Sequence, residues 1–174
     1  MYKFFISFLI IGLFFPFFSQ NITVEDIWKD YKFLSARVKG FRSMNDGVSY
    51  TKMSANQSIV KYSITNPEDT GTVLINGEYF TMENTPILID EYEFNKDETK
   101  VLLFSNKKSI YRRSYTAIHY LFDVSTKKLV PLDEKHSPQT LAEYSPDGKK
   151  VSYIFKNNLY VKELKSGKIK AITE

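Results

Sequence analysis

The 174-residue sequence contains no cysteine. That absence excludes a disulfide framework, a thiolate nucleophile and a zinc-thiolate site. Histidine occurs only at His119 and His136, 17 residues apart and without partners at metal-ligand spacing. Glycine is scarce, at positions 12, 40, 47, 71, 77, 148 and 167. No two glycines are four apart, so the Gly-x-Ser-x-Gly nucleophile elbow is absent. No two are five apart, which removes a phosphate-binding P-loop, and the dinucleotide fingerprint fails by the same count. The expectation is a chain that needs no cofactor or metal. An excess of 24 basic over 20 acidic residues is too mild to imply a nucleic-acid partner.

What is abundant is aromatic: 14 Phe and 12 Tyr, in a chain that is 43% hydrophobic and 25% charged. That is globular composition with a leaning toward strands. The amino terminus departs from it. Lys3 precedes an uncharged run from Phe4 to Phe18, then Ser19-Gln20. A short basic start, an apolar stretch and a small residue read as a secretory signal peptide over 1–20. The alternative, an uncleaved membrane anchor, needs about 20 apolar residues, more than this run supplies. The next segment, 21–40, carries a capping-box spacing at Thr23 and Asp26. Val24, Ile27, Trp28, Tyr31, Leu34 and Val38 then recur at helical spacing, which predicts an amphipathic helix of about three turns ending near Gly40.

From Gly40 onward the period changes to two. Val73–Ile75, Asn76-Gly77 and Glu78–Thr81 read as a hairpin around a type I′ turn. Val151–Phe155 and Leu159–Glu163 read as another, closed by Lys156-Asn157-Asn158, and Lys165–Lys168 turns the chain into Ile169–Ile172. Three segments repeat: Phe41–Tyr50, Phe94–Leu103 and Tyr144–Tyr153. Each has an aromatic residue, a polar turn carrying Asp and then a valine-led strand. The valines Val48, Val101 and Val151 give spacings of 53 and 50. Ile59–Ile64, Ile118–Val124 and Leu159–Leu164 follow at comparable places. Units of about 50 residues built from short antiparallel strands are the size of propeller blades. The fold class expected is all-β, a partial β-propeller of about three blades over 41–174, too few to close a ring. A β-sandwich with similar turns is the alternative.

Within this frame, His119 reads as a strand residue and His136 as a solvated loop residue. Asp90-Glu91-Tyr92-Glu93 reads as a solvated strand edge, although its carboxylates could hold a cation. The cluster Ile110-Tyr111-Arg112-Arg113-Ser114-Tyr115-Thr116-Ala117 carries more information. If it lies on a strand, one arginine faces a propeller channel and the other faces out. An arginine set between aromatics offers a planar donor to carbonyl or carboxylate oxygens. A cationic edge that deters strand pairing explains the same residues.

The ordered set Ile22–Trp28, Tyr111–Ala117, Tyr144–Tyr153 and Asn157–Lys162 resembles the amino-terminal region of dipeptidyl peptidase IV enzymes, in the prolyl oligopeptidase family of serine peptidases. The leader and the lack of cysteine are closer in style to bacterial members. The resemblance implies a propeller joined to a carboxy-terminal α/β-hydrolase domain that carries the Ser, Asp and His triad. That domain would be the partner of these 174 residues, which would be inactive alone. It implies a secreted or periplasmic enzyme that removes Xaa-Pro or Xaa-Ala dipeptides from peptides with a free amino terminus, and it leaves a homodimer open. Arg112 matches the first arginine of the family's Arg-x-Ser-Tyr motif, which implies a role in binding the substrate's carbonyl oxygen. Arg113 falls at the variable position. Two rivals stand beside this reading: a non-enzymatic periplasmic propeller that binds a protein or glycan, and a complete small β-domain.

Overall fold

In a computed structural model, the described residues are 21–35 and 40–173. The signal-peptide expectation for 1–20 lies outside them, as does the 36–39 part of the expected helix. Two compact units divide the chain near Arg37.

In the first unit, helix α1 spans only Val24–Trp28. The capping box forms as expected. Thr23 Oγ1 accepts from the Asp26 amide at 3.1 Å, and Asp26 Oδ2 accepts from the Thr23 amide at 2.9 Å. The three-turn expectation is not met. The chain leaves the helix after Trp28, and Tyr31 takes a left-handed φ of 49°, which ends a run of helical hydrogen bonds. A five-residue helix with no buried residue lacks the tertiary packing that normally holds so short a helix.

The second unit is built from antiparallel meanders. Blade 1 holds β1 (Arg42–Ser43), β2 (Ser49–Met53), β3 (Ile59–Ser63) and β4 (Thr72–Ile75). A small ribbon of β5 (Thr81–Met82) and β6 (Thr85–Pro86) follows. Blade 2 holds β7 (Glu91–Phe94), β8 (Lys100–Ser109), β9 (Tyr115–Asp123) and β10 (Lys128–Pro131). Blade 3 holds β11 (Thr140–Tyr144), β12 (Lys150–Phe155), β13 (Asn158–Glu163) and β14 (Ile169–Ala171). In each blade, neighbours in sequence are neighbours in the sheet. The expected segments Ile59–Ile64, Ile118–Val124 and Leu159–Leu164 fall on the third strand of each blade, β3, β9 and β13.

The blades stack through two apolar layers. One gathers Ile59, Ile75, Phe80, Tyr92, Val101, Leu103 and Phe122 between blades 1 and 2. The other gathers Leu102, Phe104, Leu121, Leu132, Val151 and Tyr153 between blades 2 and 3. Strand alternation divides β8 between them: Val101 and Leu103 enter the first layer, Leu102 and Phe104 the second. This is the face-to-face stacking of propeller blades.

The repeated turns join the first and second strands of each blade. The amides of Gly47, Glu98 and Gly148 donate to the carbonyls of Met44, Asn95 and Ser145, at 3.2, 3.0 and 2.8 Å. These positions take left-handed φ values of 70°, 55° and 68°. The second copy, which lacks the glycine, forces Glu98 into that conformation. The structural spacing between copies is therefore 51 and 50 residues rather than 53 and 50. Tyr50, not Val48, occupies the place of Val101 and Val151, because β1 pairs Ser43 with Tyr50 as β7 pairs Phe94 with Val101. Phe41 precedes the strand and stacks on Tyr50, with ring centroids 4.9 Å apart. Adjacent turns also touch: Asn45 donates through its side chain to Lys96 O and through its amide to Glu98, both at 2.6 Å.

The two hairpin expectations have opposite outcomes. Lys156 and Asn157, at φ 47° and 66°, close β12 and β13 as a two-residue turn with Phe155 opposite Asn158. Asn76-Gly77, in contrast, does not close a hairpin. Asn76 caps a 3-10 helix, Gly77–Tyr79, by accepting from the Glu78 amide. The two-residue turn with both φ positive comes later, at Glu83-Asn84 between β5 and β6. Gly77 serves a close approach instead. Its amide donates to Ser58 Oγ at 3.0 Å, and a Cβ there would lie 2.3 Å from Asn56 O.

This distinction is testable. Asparagine suits a type I′ turn, so Gly77→Asn would be benign if the residue formed one. The close backbone approach predicts that Gly77→Ala and Gly77→Asn both destabilise the chain, by about 1–3 kcal/mol, in urea denaturation.

Candidate functional site

Strands β8 and β9 are the longest among the described residues, and their hairpin outgrows the blade. Their register breaks between the Ser105–Ile118 and Lys108–Thr116 pairs. Two residues, Asn106 and Lys107, there oppose the single Ala117, which is a β-bulge. Asn106 takes a φ of 52°. Ala117 turns its backbone to Gln139 instead, exchanging two hydrogen bonds of 2.9 Å. Beyond the bulge only Lys108–Thr116 and Ser109–Tyr115 remain paired. The tip, Ile110–Ser114, closes through Ile110 N–H donating to Ser114 O at 2.8 Å.

Arg112 sits on this tip and is exposed, as is Arg113. The expectation that strand alternation separates the two arginines is not met, because both lie in the loop rather than on a strand. The Arg112 guanidinium carbon is 5.9 Å from the centroid of the Tyr111 ring, at the outer limit of a cation–π contact. A shallow depression of about 620 Å³ joins Arg112 and Arg113 to Asp90, Lys107, Tyr111 and Tyr115. Such a loop presents a permanently charged planar donor to an incoming acceptor.

Residues 91–93 of the acidic stretch lie on the edge strand β7, with Asp90 just before it, but the expected solvation is not met, because its groups are engaged. Glu91 Oε1 accepts from Arg42 at 2.6 Å, and Oε2 accepts from Lys107 at 2.7 Å. Burial alone would raise the Glu91 carboxyl, but Lys107 and Arg42 outweigh it and hold it below its usual range. Burial pushes Glu93 up; Arg42 opposes the shift, while Glu143 and Glu91 add to it. Tyr92 is fully buried, and its hydroxyl donates to Gly40 O and meets Thr51 Oγ1, at 2.7 and 2.9 Å. Among the described residues no group of three His, Asp or Glu side chains is placed to hold a metal.

His119 is a buried residue of β9, as expected. Its Nδ1 lies 2.9 Å from Gln139 Oε1, and burial lowers its pKa. His136 is only partly solvated, its side chain keeping 30% exposure. Its ring stacks on Tyr160 with centroids 4.3 Å apart, and Nδ1–H donates to Asp133 Oδ2 at 2.6 Å. Asp133 is buried and also accepts from the Tyr153 hydroxyl and the amides of Lys135 and His136. Lys162 donates to Leu132 O at 2.6 Å. These residues flank a groove of about 1060 Å³ between the outer strands of blades 2 and 3. With four donors on Asp133, the cluster fastens the loop joining the two blades. Sequence reasoning missed it because Asp133, Tyr153 and Lys162 are far apart in the chain; only the pairing of Asp133 with His136 at a helical-turn interval was visible.

Burial raises the Asp133 carboxyl, but its hydrogen bonds from Tyr153, His136 and the amides prevail and hold it below 3.8. A folded pKa below the unfolded one adds stability that is present above the unfolded value, about 4. It is lost as pH falls through the folded value. Asp133→Asn should therefore destabilise the chain at pH 7 by about 1–3 kcal/mol. Its deficit against the unsubstituted chain should shrink toward pH 3. Urea midpoints at the two pH values check this; a deficit independent of pH would refute it.

Residues 95–174 match the family model for the dipeptidyl peptidase IV (DPP IV) N-terminal region. The chain is 32% identical over 126 residues to the human (Homo sapiens) prolyl endopeptidase FAP, covering 71% of this chain and 15% of that protein. It is 30% identical over 130 residues to a probable dipeptidyl-aminopeptidase B of Ajellomyces capsulatus (strain H88), covering 74% and 14%. The crystal structure of Porphyromonas gingivalis dipeptidyl peptidase 4 superposes with a TM-score of 0.74 at 28% identity, covering 90% of this chain and 22% of that one. The chain thus spans about a seventh of the length of these two relatives. The three stacked blades, the matched segment 95–174 and these likenesses together support a resemblance of the chain to the N-terminal propeller region of the dipeptidyl peptidase IV family.

Proposed function

We propose that these 174 residues are the amino-terminal propeller part of an exported serine-type dipeptidyl peptidase, which removes Xaa-Pro or Xaa-Ala dipeptides. The leader-like segment 1–20 supports export. The observation that carries the reading is the Tyr111–Ala117 motif at the tip of a hairpin with the Arg112 guanidinium free to meet a ligand. In this reading Arg112 donates charge-assisted hydrogen bonds to a substrate carbonyl oxygen. Bond cleavage belongs to a hydrolase domain outside these residues, where a serine attacks the peptide carbonyl with histidine as base and an acyl-enzyme forms. The propeller part contributes positioning: holding the peptide near its amino end fixes which bond meets the nucleophile.

Purified as it stands, the chain should not release the chromophore from a chromogenic Xaa-Pro substrate. In the full-length polypeptide, Arg112→Ala should lower kcat/KM about 10- to 150-fold, equivalent to about 1.5–3 kcal/mol for a hydrogen bond to a charged group. Unchanged kcat/KM would remove the assignment. A coding sequence with no Gly-x-Ser-x-Gly beyond Glu174 would favour a non-enzymatic propeller that binds a protein or glycan.

A further inference from the structure

The extension that carries Arg112 has little to hold it. Past the bulge two strand pairs remain, and an isolated two-stranded ribbon is marginal in water. Lys107 sits at the bulge and makes three contacts that the ladder itself does not supply. Its amide donates to Asp90 Oδ2 at 2.8 Å. Its ammonium donates to Glu91 Oε2 at 2.7 Å. The same ammonium lies 3.8 Å from the centroid of the Tyr115 ring, and Tyr115 is the residue that leaves the loop. Glu91 in turn is held through its other oxygen by Arg42 of blade 1. A continuous chain of contacts, two ion pairs and one cation–π contact, therefore runs from β1 through β7 to both strands of the hairpin extension.

We propose that Lys107, anchored by Asp90, Glu91 and Arg42, is a positioning residue that fixes the direction of the Arg112 loop. The inference rests on the reading of Arg112 as a substrate contact, and it adds the group that sets where that contact is offered. The bulge supplies the geometry. With two residues against one, Lys107 leaves the ladder pattern, which frees its amide for Asp90 and turns its side chain back toward β7. Each ion pair is about one-third exposed and weak alone. Glu91 gains from facing two cations at once, and the amide and ring contacts fix Lys107 without requiring a further charge.

The loop itself provides the readout, in the chain as it exists. In a 15N-labelled sample, backbone order parameters for residues 110–114 should fall from near 0.8 to below about 0.6 in Lys107→Ala, while those of β12 and β13 stay unchanged. Lys107→Met keeps the stem without the charge and should loosen the loop as well. Lys107→Arg should restore the order, which a role in packing alone would not predict. Glu91→Gln, which removes the shared anion, should loosen the same residues. Order at 110–114 that is unchanged in Lys107→Ala and Lys107→Met overturns the proposal, whatever Arg112 does. Conversely, an Arg112→Ala enzyme with full kcat/KM removes the substrate role while leaving the loop's order intact, so the two failures are distinguishable.

Discussion

Strand β8 is buried on both faces from Val101 to Ser105, and the rest of the propeller unit is arranged around that fact. A strand with two buried faces needs a sheet on each side. Val101 and Leu103 are covered from blade 1, while Leu102 and Phe104 are covered from blade 3. At roughly 1.5–3 kcal/mol for each fully buried large apolar side chain, these four residues are a major apolar contribution to the stacking. A strand held in this way is also a rigid base. The hairpin that bears Arg112 grows directly from its far end, so an exposed arginine is rooted in a strand buried on both faces. Sites carried on rigid elements keep their geometry better than sites on free loops.

The repeat was legible because turn chemistry is local. Ser145-Pro146-Asp147-Gly148 and Lys156-Asn157 specify their backbone from within; the first turn forms where the sequence placed it, and the second is one residue shorter than the expected Lys156-Asn157-Asn158, because Asn158 already pairs with Phe155. Offset was less legible. Aligning Phe41 with Phe94 and Tyr144 displaced the first copy by two residues, because Phe41 is a stacking residue ahead of the strand rather than part of it. The left-handed position shared by Gly47, Glu98 and Gly148 is the true anchor, and in the second copy a glutamate conceals it.

Other features failed where tertiary contact outweighed local preference. Asn76-Gly77 suits a type I′ turn by composition, yet the glycine is set by the approach of the Asn56 carbonyl, which no local pattern reveals. The apolar stripe from Val24 to Leu34 has helical spacing, but spacing does not supply a packed partner, and α1 stops after Trp28. Adjacent Arg112 and Arg113 gave no sign that they lie on a loop tip. That depends on where β8 and β9 cease to pair, and hence on the bulge at Lys107. The contacts that organise the candidate site, from Arg42 through Glu91 to Lys107, join residues 49 and 16 positions apart and were not visible in the sequence.

In the proposed enzyme the β8–β9 hairpin offers Arg112 to a peptide. A crystal structure of the full-length polypeptide with a bound Xaa-Pro peptide tests it most directly. The Arg112 guanidinium should lie within hydrogen-bond distance, about 2.7–3.2 Å, of a peptide carbonyl oxygen. A peptide bound elsewhere, with the Arg112 loop in solvent, would contradict it.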